Sequence, residues 1–204
     1  MTKRKQQAIE TKQKLLDTAD MLVKERGFDA VSVDDIVAGC GVAKGTFYHY
    51  FSSKDDLLVY LTRTPYEKLK QNFAATEGRP YLERLHAFIR DWFHMTEKYN
   101  LHFTVLHNRM ALTERQEQKP SWKHSQIDEG LSILQSCLQG AVEHGELAKK
   151  TPVETLSRML IFSMQGSALY QSQHADTFDV AAWEEAFNGT ILSDLLRPYL
   201  PEDP

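Results

Sequence analysis

The 204-residue chain lacks several features that mark other classes of protein. It has two cysteines, Cys40 and Cys137, too few and too widely spaced for a disulfide framework or a metal-binding cysteine motif. No apolar run approaches the roughly 20 residues that a membrane-spanning helix needs. The basic N-terminus is not followed by the apolar stretch of a secretory signal. These absences predict a protein of the reducing cytoplasm that has no membrane partner.

Catalytic motifs are also missing from the sequence. There is no phosphate-binding loop, no dinucleotide fingerprint and no nucleophile motif. His94, His102 and His107 are near one another in sequence, but none forms a four-residue pair with an acidic side chain that would favour a metal on a helix. We therefore predict no enzymatic activity, no cofactor and no metal site.

Charge is distributed unevenly along the chain. The net charge is −4, yet residues 1–54 contain nine lysines and arginines against seven acids. A positive N-terminal part on an acidic body is typical of a protein in which only that part meets nucleic acid. The first basic residues, Lys3 to Lys5, fit either a solvated tail or an arm that touches DNA.

The apolar pattern predicts an all-α protein of about nine helices. Apolar residues recur at three- and four-residue spacing, and glycine or proline separates most segments. We predict that Pro65 kinks or splits the fourth helix, because proline removes one helical hydrogen bond. The predicted helices, with their capping residues, cover residues 6–26, 32–40, 44–51, 53–75, 81–99, 101–112, 121–144, 151–172 and 180–199.

The segment from Val31 to Lys54 predicts two short helices joined by a tight turn. Ser32 and Asp35 have the spacing of a capping box, and Gly41 can reverse the chain because it has no Cβ. Phe47 and Phe51 lie four residues apart and should share the buried side of the second helix. The residues left outside are small, basic or hydrogen-bonding, as on a helix that reads DNA.

This stretch strongly resembles the TetR family of bacterial transcriptional regulators over about residues 10 to 60. The similarity lies in Gly27-Phe28, Val31 to Val37, Gly41 to Phe51 and Ser53-Lys54. It implies a DNA-binding domain at residues 1–53, with its helix-turn-helix at 31–51, and a helical ligand-binding and dimerisation domain at 54–204. It also implies a repressor that a small molecule releases from a palindromic, double-stranded DNA operator.

The residues expected to contact DNA can each do so chemically. A lysine ammonium neutralises a phosphate or donates to guanine, a glycine allows close approach to the groove, and hydroxyl and imidazole groups donate to phosphates. Three positions depart from the family pattern, namely Val37, Ala43 and Asp34, and a carboxylate at Asp34 repels phosphate. The expected contacts are Ser32, Lys44, Gly45, Thr46, Tyr48, His49 and Lys54.

The eighth and ninth predicted helices are suited to pair two copies of the chain. The ninth has an apolar band wider than one core face needs, and the eighth has small residues that permit close approach. A homodimer through these helices would place two reading helices on the two halves of a palindrome. The expected interface residues are Ser163, Ser167, Trp183, Phe187, Ile191 and Leu195.

A ligand site is expected between the fourth and eighth helices, where large apolar residues alternate with polar ones. The set suggests a small, largely apolar or aromatic effector, with His107, Arg109 or Gln126 as polar contacts. The same residues could equally form an ordinary core. The expected lining is Trp92, Met95, Phe103, His107, Met110, Trp122, Gln126, Phe162 and Met164.

Two other functions stay open at this point. An activator with the same fold would have the same residues. A helical ligand-binding or enzyme-like protein that has lost DNA binding is the other alternative, supported by Asp34 and the acidic overall charge.

Overall fold

The computed structural model describes residues 3–113, 126–174 and 176–201, and in this part of the chain every regular element is a helix, with no strand. None of the described helices is long and apolar enough to cross a membrane. In chain order the elements are α1 (Lys3–Arg26), α2 (Val33–Cys40), α3 (Lys44–Tyr50), α4 (Lys54–Ala74), α5 (Tyr81–Thr113), α6 (Gln126–Glu143), α7 (Val153–Gln173), α8 (Val180–Ala186), a π-helical turn (Phe187–Ile191), α9 (Leu192–Leu196) and a 3₁₀ turn (Arg197–Tyr199).

Three expectations about the helices need correction. The two helices predicted at 81–99 and 101–112 are one helix, α5. Pro65 does not split α4, which is helical from Lys54 to Ala74, and the alternative of a kink stays a prediction. The helix predicted at 180–199 contains a π-helical turn in its middle. The start predicted at Ser121 and the polar loop predicted at 113–120 lie mostly outside the described residues.

The chain forms two compact units. The first comprises residues 1–65 and 101–113, and the second comprises residues 66–100 and 114–204. The first division therefore falls at Pro65, inside α4. The functional boundary at residue 53 stays a prediction.

The first unit has its own apolar core, built from α1, α2, α3 and the start of α4. Phe47 and Phe51 lie at its centre and are 0% and 1% exposed, with their ring centroids 5.3 Å apart. Burial of one large apolar side chain contributes about 1.5–3 kcal/mol, so this core holds α1, α2, α3 and the start of α4 together. Its other members are Leu15, Ala19, Leu22, Val23, Phe28, Val31, Ile36, Val37, Cys40, Leu57 and Leu58.

The second unit packs the first part of α5 with α6, α7 and α8–α9. Phe93 of α5 lies edge-on to Phe187 of the π-helical turn, with ring centroids 5.3 Å apart. The N-terminus of α5 is held by Glu146, whose two carboxylate oxygens accept from the backbone N–H groups of Tyr81 and Leu82 at 2.7 and 2.8 Å. A carboxylate at a helix N-terminus satisfies orphan donors and complements the helix dipole.

Candidate DNA-reading surface

The start of α2 is fixed by the capping box that the sequence predicts. The Asp35 N–H donates to Ser32 Oγ at 3.1 Å, and the Ser32 N–H donates to an Asp35 carboxylate oxygen at 2.8 Å. The Ser32 hydroxyl also donates to that carboxylate, and these bonds lower the pKa of Asp35 below its usual value. Because the cap already uses the Ser32 hydroxyl, a phosphate contact by Ser32 would have to break or share these bonds.

The turn between α2 and α3 depends on Gly41, which has a φ of 67° in the left-handed region. Its N–H donates to Ala38 O at 3.1 Å, and the Val42 N–H donates to Val37 O at 3.1 Å. These bonds satisfy the last carbonyls of α2, and a side chain at Gly41 would be strained in this conformation. The predicted turn is therefore present.

α3 separates a buried face from an exposed one. Phe47 is buried, whereas Lys44, Gly45, Tyr48 and His49 are exposed. Thr46 is half-buried, and the side chain of Tyr48 packs edge-on against the Phe47 ring. No heavy atom lies within 4 Å of where a Cβ would stand on Gly45. This part of α3 thus offers solvent a narrow surface with hydrogen-bonding groups on both sides of a residue that has no side chain.

Lys44 makes an ion pair across the helix-turn-helix that the sequence did not reveal. Its Nζ lies 2.9 Å from Asp34 Oδ2, so α3 is joined to the first turn of α2. The hydrogen bond from Lys44 to Asp34 and the attraction between their charges raise the pKa of the ammonium above its ordinary value. Both side chains are more than half exposed, so the pair contributes little to stability.

The contacts of Lys54 within the chain were not predicted from the sequence. Its Nζ donates to the carbonyl oxygens of Phe28 and Val31, both at 2.8 Å, and lies over the Phe28 ring at 4.4 Å from the centroid. The ammonium thus fastens the α1–α2 connection to the start of α4. This geometry gives Lys54 a structural role, and the phosphate contact expected from its position stays a prediction.

The basic residues at the N-terminus are helical. Lys3, Arg4 and Lys5 form the exposed first turn of α1, which begins three residues before the predicted start at Gln6. They are therefore part of a helix in this structure and not an extended arm.

A second exposed surface lies on α7 and the α8–α9 segment, within the second unit. Phe162, Tyr170, Met159 and Leu169 of α7 are exposed by 64%, 52%, 48% and 47%, although all are apolar or aromatic. A shallow groove of about 410 Å³ runs beside them and is lined by Met159, Leu160, Ser163, Phe187, Ile191, Asp194 and Leu195. The four side chains recur at helical spacing on one side of α7, and an exposed apolar helix face is typical of a protein–protein contact.

The structure divides the expected interface residues into two groups. Ser163 and Ile191 are exposed, and Leu195 and Trp183 are half-buried. Ser167 and Phe187 are buried inside the chain, and Ser167 Oγ accepts from Trp183 Nε1 at 2.8 Å. Ser167 and Phe187 are therefore core residues of the monomer. The interface prediction does not include Met159, Phe162, Leu169 and Tyr170, which supply most of the exposed apolar side chains of α7.

The expected ligand lining is only partly described. Trp92, Met95 and Met164 are buried in the second unit at 4%, 8% and 0% exposure. Phe162 points to solvent and does not line an interior site. The side chains of Phe103, His107, Arg109, Met110, Trp122 and Gln126 lie outside the described residues.

Comparison with known proteins identifies the helix-turn-helix. Residues 15–61 match the family model described as bacterial regulatory proteins, tetR family. The chain is 29% identical over 160 residues to the "Fatty acid metabolism regulator protein" of Bacillus subtilis, covering 72% of this chain and 76% of that protein. It is 24% identical over 205 residues to the "HTH-type transcriptional repressor BepR" of Brucella suis, covering 97% and 98%.

Solved structures share the fold of this chain. The fatty acid degradation regulator FadR from Bacillus halodurans superposes with a TM-score of 0.71 at 18% identity, covering 91% of this chain and 94% of that one. At this identity the similarity concerns the fold alone.

Proposed function

We propose that the chain is a DNA-binding transcriptional regulator of the tetR family, whose model its residues 15–61 match. We further propose that it is a homodimeric repressor, which a small, largely apolar or aromatic molecule releases from a palindromic operator. The observation that carries the proposal is the exposed surface of α3, where Gly45 is open and polar groups flank it. An exposed helix face of this composition fits the major groove. The cytoplasm is the compartment in which we place this activity.

We assign the DNA contacts to five residues of α3. Lys44 donates to guanine or neutralises a phosphate, while Thr46, Tyr48 and His49 hydrogen-bond phosphates and set the register. Gly45 permits the close approach. Lys54 and Ser32 act through the fold, because their polar groups are already used within the first unit.

The DNA proposal is tested by selecting sequences from a random duplex pool with the purified protein. We expect a palindrome with half-sites about 34–36 Å apart or a multiple of this spacing. Lys44→Gln and Tyr48→Phe should then weaken binding to the selected duplex. Glu154→Gln is a suitable control, since it removes one partner of the exposed ion pair Arg158–Glu154 on α7. The N–O distance of that pair, 2.9 Å, equals the distance in the Lys44–Asp34 pair. A pool that yields no preferred sequence would refute the assignment.

We place the dimer contact on the exposed face of α7 and the α8–α9 segment. The face combines apolar side chains with a groove and with Gly166, which is exposed and has nothing within 4 Å of its Cβ position. Two copies related by a twofold axis would bury the same face against itself. The four-helix arrangement that results is a common dimer architecture.

The dimer proposal is tested with Phe162→Glu, measured by sedimentation. Phe162 is 64% exposed, so the substitution should leave the monomer folded while placing a charge in the contact. We expect a monomer that binds the selected palindrome far more weakly. Met21→Glu on α1 is the matched control, because Met21 is apolar and 50% exposed in the first unit. A dimer that survives Phe162→Glu unchanged would refute this placement.

The proposed effector is a small, largely apolar or aromatic molecule that binds in the second unit. Trp92, Met95 and Met164 supply buried apolar and polarisable surface in the second unit. One relative is named as a fatty acid metabolism regulator, so an acyl chain is the first class to test. Calorimetry should compare fatty acids of increasing length with aromatic compounds, in the absence and presence of the selected duplex. An effector must bind the DNA-free protein more tightly than the complex, since it can shift the equilibrium only by that difference. If no compound shows this preference, the effector proposal fails.

A further inference from the structure

The candidate reading surface contains a negative charge as well as a positive one. Asp34 is exposed and lies 2.9 Å from the ammonium of Lys44. DNA presents a dense row of negative phosphates, so a carboxylate on the surface that meets it opposes binding. Lys44 and Asp34 together add no net charge to this part of the surface.

The ion pair affects two kinds of contact differently. Binding to phosphates depends on the number of positive charges that replace counterions on the DNA. A lysine that is paired with a carboxylate contributes little to this number, because the carboxylate neutralises its charge. A base contact depends on hydrogen-bond donors at defined positions. An ammonium has three N–H donors, so Lys44 can donate to Asp34 and still donate to the O6 and N7 acceptors of a guanine.

We propose that Asp34 is a specificity-determining residue, which suppresses binding to arbitrary DNA sequences while leaving Lys44 able to donate to a base of the operator. The inference rests on the proposed contact of Lys44 with DNA. Its distinctive feature is the juxtaposition of Asp34 at the start of α2 with Lys44 at the start of α3, which holds the ammonium in place before DNA arrives.

Local geometry supports a role for Asp34 other than folding. Asp34 is 70% exposed and is not the capping residue of α2, since Asp35 makes the capping box with Ser32. An exposed ion pair of this kind stabilises a fold only slightly. Removing the charge of Asp34 should therefore leave the helix-turn-helix intact.

The test measures the affinity of the dimer for two duplexes across a range of salt concentrations. One duplex is that selected from the random pool, and the other is a scrambled duplex of the same composition. In Asp34→Asn each subunit frees one lysine, so the slope of log affinity against log salt should steepen by about 0.9 per subunit on the scrambled duplex. We expect affinity for that duplex to rise about tenfold at low salt. The ratio of the affinity for the selected duplex to the affinity for the scrambled duplex should fall, because the substitution changes the affinity for the selected duplex less.

Matched variants make the result interpretable. Asp34→Glu retains the charge and should retain the wild-type ratio, while Asp34→Ser should behave as Asp34→Asn does. Glu154→Gln removes the same charge from a comparably exposed ion pair on α7 and should leave the ratio unchanged. Circular dichroism and thermal melting confirm that each variant is folded.

The outcomes separate this inference from the proposed function. If Lys44→Gln weakens binding to the selected duplex but Asp34→Asn alters neither the ratio nor the salt slope, the inference is overturned and the proposed DNA contact stands. If Lys44→Gln changes nothing, both are overturned. A steeper slope and a lower ratio in Asp34→Asn and Asp34→Ser, with Asp34→Glu like the wild type, support it.

Discussion

Gly45 offers a perturbation whose effects on stability and on DNA binding should have opposite signs. Gly45 is the second residue of α3, has no positive φ, and nothing lies within 4 Å of where its Cβ would stand. In Gly45→Ala the folded protein therefore accepts the methyl group without a clash. Because alanine restricts the unfolded chain, we expect the substitution to stabilise the protein by about 0.4–1 kcal/mol.

The same methyl group should weaken binding to the selected duplex. If α3 approaches the groove at Gly45, the added atom must be accommodated in a packed interface, at a cost of about 1–3 kcal/mol by analogy with overpacked cores. That corresponds to a loss of roughly 5- to 150-fold in affinity. Thermal unfolding and fluorescence anisotropy on labelled DNA measure the two effects separately.

Gly41→Ala is the contrasting control in the same motif. Gly41 has a φ of 67°, where alanine is strained by about 1–2 kcal/mol. Its stability should therefore fall. If Gly45→Ala bound the selected duplex as tightly as the wild type, α3 would not lie close to the groove at this residue, and the reading surface would have to be placed elsewhere.

Three further predictions concern groups whose environment is unusual. In Gly140→Ala the new Cβ would lie 2.2 Å from a ring carbon of Tyr81, so we expect a loss of about 1–3 kcal/mol in denaturant unfolding; Gly45→Ala is the control. Lys54→Met removes two hydrogen bonds from an ammonium to backbone carbonyls and should cost about 1–3 kcal/mol without changing the salt slope of DNA binding. Burial raises the pKa of the Cys137 thiol to about 11, so at pH 8 it should be alkylated much more slowly in the folded than in the unfolded protein, as followed by mass spectrometry.

Each of these three has an outcome that would contradict it. Undiminished stability in Gly140→Ala would mean that the Tyr81 ring moves aside at no cost. A salt slope reduced by about 0.9 per subunit in Lys54→Met would restore Lys54 as a phosphate contact. Rapid alkylation of Cys137 in the native state would show that the thiol is accessible and ionises near its ordinary pKa.

Local sequence was sufficient for the helix-turn-helix. Ser32, Asp35 and Gly41 act on neighbours within a few residues, so their spacing alone predicts the capped start of α2 and the turn that follows it. The pair Phe47 and Phe51 likewise defines the buried side of α3. The exposed residues of α3 follow directly, because a short helix with one buried face must present its other face to solvent.

Helix boundaries were less predictable in the longer helices, α4 and α5. The sequence around Asn100 predicts a break between two helices, yet α5 continues through it. Asparagine in a helix costs less than about 0.7 kcal/mol relative to alanine, which packing on either side easily offsets. Pro65 shows the same effect in α4, where the helix continues past the missing hydrogen bond.

The sequence by itself determined the all-α class, the helix-turn-helix and the exposed face of α3, since these depend on contacts between near neighbours. Only the tertiary structure decided which partners the long side chains contact and which residues of the wide apolar bands are buried. Lys54 reaches back to carbonyls 23 and 26 residues away, and Lys44 reaches Asp34 across the turn. Phe187 is buried while Phe162 is exposed. Such choices depend on which distant segments come together, and no local pattern contains that information.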